Sequence, residues 1–168
     1  VDRDGCVDYA MIGVDVPFGG YGISSELGYL ATGLGFEANW YLTRFLDVVT
    51  RADLQLFPRG DRERVIQQAV LGGFRIDYGS NTHRSSRAGF FSTVLGGYSH
   101  VAGPSPNTSG AGPTVDLSLA WGGQGHESAG WLALHARFGV TPDNFDLRLF
   151  LSVGFELRFD RRRWRNRV

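Results

Sequence analysis

Lysine is absent from this chain of 168 residues, and all 17 basic residues are arginine. They balance 17 acidic residues to a formal net charge of zero, which removes any general electrostatic reason to expect nucleic acid as a partner. The missing lysine reflects genome composition more than function. Cysteine is nearly absent too: Cys6 stands alone, so no intrachain disulfide can form, and the thiol is either free or bridged to a partner. No apolar run approaches the ~20 residues of a membrane-spanning helix, so a chain of this kind that crosses a bilayer must do so as a closed barrel. A convincing helical period is lacking throughout. The four histidines stand far apart, at no chelating spacing, so neither a metal nor any other cofactor is expected. The chain begins at Val1 without a charged-then-apolar leader, and a signal peptide is expected to have been removed or to lie outside this sequence.

What is present is alternation. In FDLRLFLSVGFELRF every odd position from Phe145 to Phe159 is a large hydrophobe, while the even positions include Asp146, Arg148, Ser152, Glu156 and Arg158. A strict two-residue period is the mark of a strand. The same division recurs in YAMIGVDVPF, LATGLGFEANWYL, FLDVVTRADLQLF, VIQQAVLGGFRIDY, TVDLSLAWGG and SAGWLALHARFGV, whereas the two faces of RAGFFSTVLGGYSHVA cannot be told apart. Short polar or Gly/Pro-rich connections separate these segments, which forces neighbours to run antiparallel. The economical architecture is an all-β, eight-stranded antiparallel up-and-down barrel, closed so that no edge is left. Residues 1–7 are expected as an N-terminal leader, 8–159 as the barrel and 160–168 as a basic tail.

Eight-stranded barrels occur with two polarities, apolar side chains inside in soluble carriers and outside in membrane barrels. Here the small residues fall on the polar face, at Gly13, Gly33, Gly35, Gly73, Gly122, Gly139, Ser152 and Gly154. A narrow bore needs small residues, and a lipid-facing wall does not. Fifteen residues at ~3.3 Å rise and ~45° tilt also cover roughly 33 Å, close to a hydrocarbon core. The charged face is therefore expected to point inward and the Phe/Leu face to meet lipid, making this a transmembrane barrel. By parity the lumen would hold Asp15, Glu37, Arg51, Asp53, Arg75, Asp77, Asp116, His135, Arg137, Arg148, Glu156 and Arg158. Both signs are present, so a salt-bridged plug is expected. Aromatic girdles are expected from Phe18, Tyr98, Phe138 and Phe145 at one rim, and from Trp40, Tyr78, Trp121 and Phe159 at the other.

With this pattern the chain resembles small outer-membrane β-barrels of the OmpA/OmpX type, on the Phe145 to Phe159 stripe and the seven strands before it. The resemblance implies a bacterial outer-membrane location and contact with membrane lipid or lipopolysaccharide. Two features depart from the family pattern. DRRRWRNRV follows the terminal aromatic, and the external connections are short, which weakens an adhesin or receptor reading.

His126 and Ser128 resemble the His-x-Ser of outer-membrane lipid A deacylase barrels, in which the serine would be nucleophile and the histidine its base. Asp143 is the nearest acidic candidate, at the wrong end of the next strand, so a plain Gly/His/Ser turn is the expected reading. Arg59-Gly60-Asp61 is an integrin-type tripeptide that also makes an ordinary tight turn. The tail groups Arg161, Arg162, Arg163, Arg165 and Arg167 around Trp164, suited either to anionic headgroups or a partner protein, or to a solvated end that fixes topology. The function expected is a non-enzymatic structural anchor or a subunit of an envelope protein complex. The alternatives are a lipid hydrolase using His126 and Ser128, and a soluble lipocalin-like carrier.

Overall fold

The computed structural model describes residues 9–22, 32–43, 45–59, 63–78, 87–103, 109–124, 128–141 and 144–160. They form eight strands: β1 (Tyr9–Gly22), β2 (Thr32–Tyr41), β3 (Leu46–Arg59), β4 (Glu63–Asp77), β5 (Arg87–Ala102), β6 (Gly110–Gln124), β7 (Ser128–Thr141) and β8 (Asn144–Asp160). Each pairs antiparallel with its sequence neighbours, and β1 pairs with β8, which closes the barrel in the order of the chain. The last strand runs one residue into the expected tail, and the remainder of the tail and the leader with Cys6 lie outside the described residues.

The register sets the width of the bore. Starting from Ala10 and stepping through Trp40, Val48, Phe74, Val94, Leu117, Ala136 and Leu149, the ladder returns to β1 at Tyr21. That is eleven positions further along β1, one of them supplied by the irregularity between Phe18 and Gly20. A stagger of this size tilts the strands into the range of ~35–45° and leaves an interior just wide enough for side chains.

Period-two alternation becomes inside and outside along every strand. Leu149, Val153 and Phe155 are 41%, 50% and 51% exposed, while Arg148, Ser152 and Glu156 on the alternate positions are buried. This polarity overturns the soluble-carrier alternative, whose apolar face would have to line the interior. On β5, where sequence alone left the faces undivided, Phe90, Val94 and Tyr98 point outward and Phe91, Thr93, Leu95, Ser99 and Val101 inward. The ambiguity has a physical source: both faces of this strand carry apolar residues, since inward side chains of β5 join small hydrophobic clusters in the bore, among them Val49/Ala69/Leu71/Leu95 and Phe91/Ala120/Trp131/Ala133.

Of the expected girdle residues, Phe18, Trp40, Tyr78, Tyr98 and Trp121 are exposed on the outer wall and Phe138 is half-buried there. The side chains of Phe145 and Phe159 lie outside the described residues. Trp40, Tyr78 and Trp121 sit toward the end of the barrel that carries the first and last strand termini, and Phe18, Tyr98 and Phe138 toward the opposite, loop-side end. The hydroxyls of Tyr78 and Ser92 satisfy each other at 2.8 Å on the outer wall.

Inward glycines make room for large neighbours. A Cβ on Gly154 would lie 2.2 Å from the Trp131 ring, and one on Gly35 would overlap the Asp15 carboxylate. Replacing Gly154 by Val therefore forces the Trp131 ring to move, at a cost of roughly 1–3 kcal/mol. Gly96→Ala, on the open outer wall, is expected to stay within about 0.5 kcal/mol of the parent. Urea unfolding of both variants in micelles provides the comparison. In single-tryptophan variants, brominated acyl chains should quench Trp40 and Trp121 strongly and Trp131 hardly at all. Equal quenching of all three would contradict the inside–outside assignment.

Candidate functional site: the charged lumen

Among the described residues, the bore contains Asp15, Glu37, Arg51, Asp53, Arg75, Asp77, Asp116, His135, Arg137, Arg148 and Glu156 as buried side chains. The side chain of Arg158 lies outside the described residues, and its backbone pairs with Met11. Burying so many ionised groups is costly unless each finds compensating charge and hydrogen bonds. The geometry meets that demand with guanidinium groups reaching across the bore.

In a ring of eight strands, β4 faces β8 and β3 faces β7. Arg75 on β4 reaches Glu156 on β8 at 2.6 Å and also bonds Glu37 on β2. Its guanidinium lies 4.2 Å from the centre of the Phe91 ring and 5.6 Å from that of Trp131. Asn39 donates to both carboxylates, at 3.0 Å to Glu37 and 2.6 Å to Glu156, so it keeps the two acids apart. Higher in the bore, Arg137 on β7 grips Asp53 on β3 through two bonds of 2.9 and 2.6 Å, and its Nε donates to Asp116 at 2.8 Å. Two-point guanidinium–carboxylate contacts are among the stronger charge-assisted bonds. Arg51 joins the two groups, with Asp15 at 2.5 Å, Asp53 at 3.2 Å and Glu37 at 3.9 Å. A third cross-bore contact runs from Arg148 on β8 to Gln67 on β4 at 2.5 Å.

His135 extends the network along β7 from Arg137 toward the end that carries the chain termini. Its Nδ1 lies 2.9 Å from Asp116 and its Nε2 2.8 Å from the Ser152 hydroxyl, while the ring stacks on Phe150 at 4.5 Å. Aspartate, histidine and serine in this order have the connectivity of a nucleophilic triad. Here the serine is 0% exposed, the histidine 2% and the aspartate 1%, and Asp116 also holds Arg137. No substrate carbonyl can reach Ser152, so the array is a structural relay that satisfies three buried polar groups.

The motif first considered for hydrolysis is not assembled among the described residues. Ser128 opens β7, opposite Leu157 on β8, while His126 and Asp143 lie outside the described residues. The same holds for Gly60 and Asp61 of the tripeptide and for Arg161, Arg162, Arg163, Trp164, Arg165 and Arg167 of the tail. No group of histidine, cysteine and acidic side chains suited to a metal ion occurs among the described residues. Parity alone would have added Asp47, Asn39, Gln55 and Gln67 to the lumen, since Asn39 alternates in phase with Glu37, Asp47 and Gln55 with Arg51, and Gln67 with Arg75, and each is buried. The three amides carry no charge and so escaped a search for paired charges, whereas Asp47 stands opposite Arg75 in the ladder.

An outer wall of exposed hydrophobes around a closed, ion-paired bore defines a transmembrane β-barrel of the small outer-membrane kind. Solved structures agree on the fold. Neisserial surface protein A matches with a TM-score of 0.64 at 8% identity, over 90% of this chain and 97% of that one. OprG from Pseudomonas aeruginosa matches at 0.57 and 10% identity, over 93% and 97% of the two chains. Ail, the attachment invasion locus protein of Yersinia pestis, matches at 0.56 and 8% identity, over 92% and 100%. No family model matches the chain, and no curated protein matches it.

Removing Arg137 leaves Asp53 and Asp116 buried in the bore with less positive charge between them. Arg137→Met is expected to cost about 3–5 kcal/mol, and adding Asp53→Asn to the same chain should recover part of that loss. Urea titrations of the folded barrel, followed by circular dichroism and by the heat-modifiable gel shift, measure both. An Arg137→Met barrel as stable as the parent would show that the cross-bore pair contributes nothing.

Proposed function

We propose that this protein is a non-enzymatic barrel of the bacterial outer membrane that serves as a structural anchor or as a subunit of an envelope protein complex. The observation that carries the reading is the bore itself. Arg75–Glu156 and Arg137–Asp53 cross it at two levels, and Arg51 ties those levels together. Such a bore is poorly suited to steady passage of solutes. Breaks of at most nine residues between strands at the loop-side end support the same reading: β1 and β2 are separated by residues 23–31, β3 and β4 by 60–62, β5 and β6 by 103–109, and β7 and β8 by 142–143. They leave little loop surface for a large ligand.

The surfaces left for a partner are the outer wall, the basic segment with Arg161, Arg162, Arg163, Trp164, Arg165 and Arg167, and Cys6. Membrane lipid or lipopolysaccharide covers the wall in this reading, and the basic segment holds a neighbouring envelope protein or anionic headgroups. The hydrolase alternative gains no support, since Ser128 is not placed beside a base among the described residues.

Fractionation of cell envelopes should place the full chain with the outer membrane, and in-membrane cross-linking before detergent extraction should give a discrete adduct. Deleting residues 161–168 is expected to abolish that adduct while the barrel still shows its folded gel mobility. Recovery in the soluble fraction would refute the membrane placement. Steady conductance in planar bilayers, or loss of a lipid-hydrolysis activity in Ser128→Ala, would refute the anchor role.

A further inference from the structure

The outer wall changes character along the seam between β4 and β5. Three successive outward rungs of this ladder, taken from the loop side toward the middle of the wall, are Gln68 opposite His100, Val70 opposite Tyr98 and Gly72 opposite Gly96. Side chains directly opposite in an antiparallel pair stand about 5 Å apart at Cβ, so the two members of a rung act together. The first rung is polar, and both of its members are exposed. An amide and an imidazole facing hydrocarbon would be costly, but this pair lies one rung beyond Tyr98 of the loop-side girdle, at the depth of lipid headgroups. The third rung is empty. A Cβ on Gly96 would meet no atom within 4 Å, one on Gly72 only the Val49 carbonyl oxygen at 3.8 Å, and neither glycine has a positive φ. Larger side chains would fit at both positions, unlike the inward Gly73 and Gly97, where a Cβ would strike backbone. Their absence leaves a depression beside Tyr98 and beside Val70, which is 70% exposed.

We propose that these three rungs bind one phosphorylated lipid of the loop-side leaflet, of the lipopolysaccharide class, with a phosphate at Gln68 and His100 and an acyl chain in the Gly72–Gly96 depression. The inference rests on the outer-membrane reading and adds the place and the chemistry of the lipid contact. Polar, amphipathic and empty rungs follow one another in the order in which such a lipid presents its headgroup, its interface and its hydrocarbon. The Gln68 amide, an imidazole N–H of His100 and the Tyr98 hydroxyl are donors for anionic phosphate oxygens. Charge favours the same occupant, because among the described side chains every carboxylate is buried in the bore and none opposes an anion on this wall. A second copy of the chain would fill the depression but, with those same carboxylates buried, would bring no described anion to the donor rung.

The test uses the full chain in phosphatidylcholine nanodiscs doped with lipid A or with lipid A stripped of its phosphates. Lipid A is expected to shift the side-chain resonances of Gln68 and His100 saturably, and the dephosphorylated lipid to leave them in place. Gln68→Leu combined with His100→Leu should lower the affinity for lipid A, read from the Tyr98 ring, about tenfold, the loss of one charge-assisted hydrogen bond. Gly96→Leu fills the depression and should weaken binding severalfold while Gln68 and His100 still respond. Thr32→Val, at an exposed position on β2 away from these rungs, should leave binding unchanged, and the heat-modifiable gel shift confirms that each variant is folded. A parent that does not saturate, an equal response to the dephosphorylated lipid, or a double variant that binds as the parent does overturns the proposal. Disulfide formation between copies of a Cys6→Ser, His100→Cys chain in the membrane also overturns it, assigning the face to a second copy. In each of these cases a chain that still fractionates with the outer membrane leaves the anchor reading standing, whereas recovery in the soluble fraction removes both.

Discussion

Everything in this molecule follows from closing eight strands around a space too narrow for anything except side chains. Inward positions cannot meet bulk water, and the alternation of the strands delivers acids and arginines to many of them. Those groups must find one another across the bore. Strands four apart in the ring are diametrically opposed, and an arginine side chain is long enough to reach a carboxylate on the far wall. Arg75–Glu156 and Arg137–Asp53 are contacts of this kind, and Arg51 couples them. Without such pairing, each buried charge would disfavour the closed state by several kcal/mol.

The same closure explains the outer wall. Backbone donors and acceptors are satisfied within the ladder, so the surface can be covered with leucine, valine and phenylalanine without exposing polar edges to lipid. The usual arrangement of a soluble domain is reversed, and among the described residues the bore holds small hydrophobic clusters beside the charges. The aromatic rings that do lie inside are used on charge: Phe91 and Trp131 flank Arg75, and Phe150 lies against His135 and Arg137. The Asp116–His135–Ser152 relay belongs to the same economy of buried polar groups, since a histidine in a dry interior needs a partner on each nitrogen.

Strand number, antiparallel order and polarity were legible in the sequence wherever one face was uniformly apolar, as on β8, where Leu149, Leu151 and Val153 alternate with Phe150 and Ser152. Legibility failed on β5 because residues such as Phe91 and Leu95 fill the bore beside Arg75 and look no different in sequence from lipid-facing ones. Membership of the lumen could be read by counting positions in twos. The neutral members, Asn39, Gln55 and Gln67, escaped because amides carry no charge to be paired on paper.

What the sequence determined by itself was which side of each strand a residue occupies, because backbone geometry fixes a period of two regardless of what surrounds it. What only the closed barrel decided was partnership. Arg137 and Arg148 are direct neighbours across β7 and β8, yet one turns to Asp53 and Asp116 and the other to Gln67. That choice depends on the stagger of the ring, which brings residues separated by about half the chain to the same depth. No local pattern encodes a distance across a bore, because that distance comes into being only when the last strand meets the first.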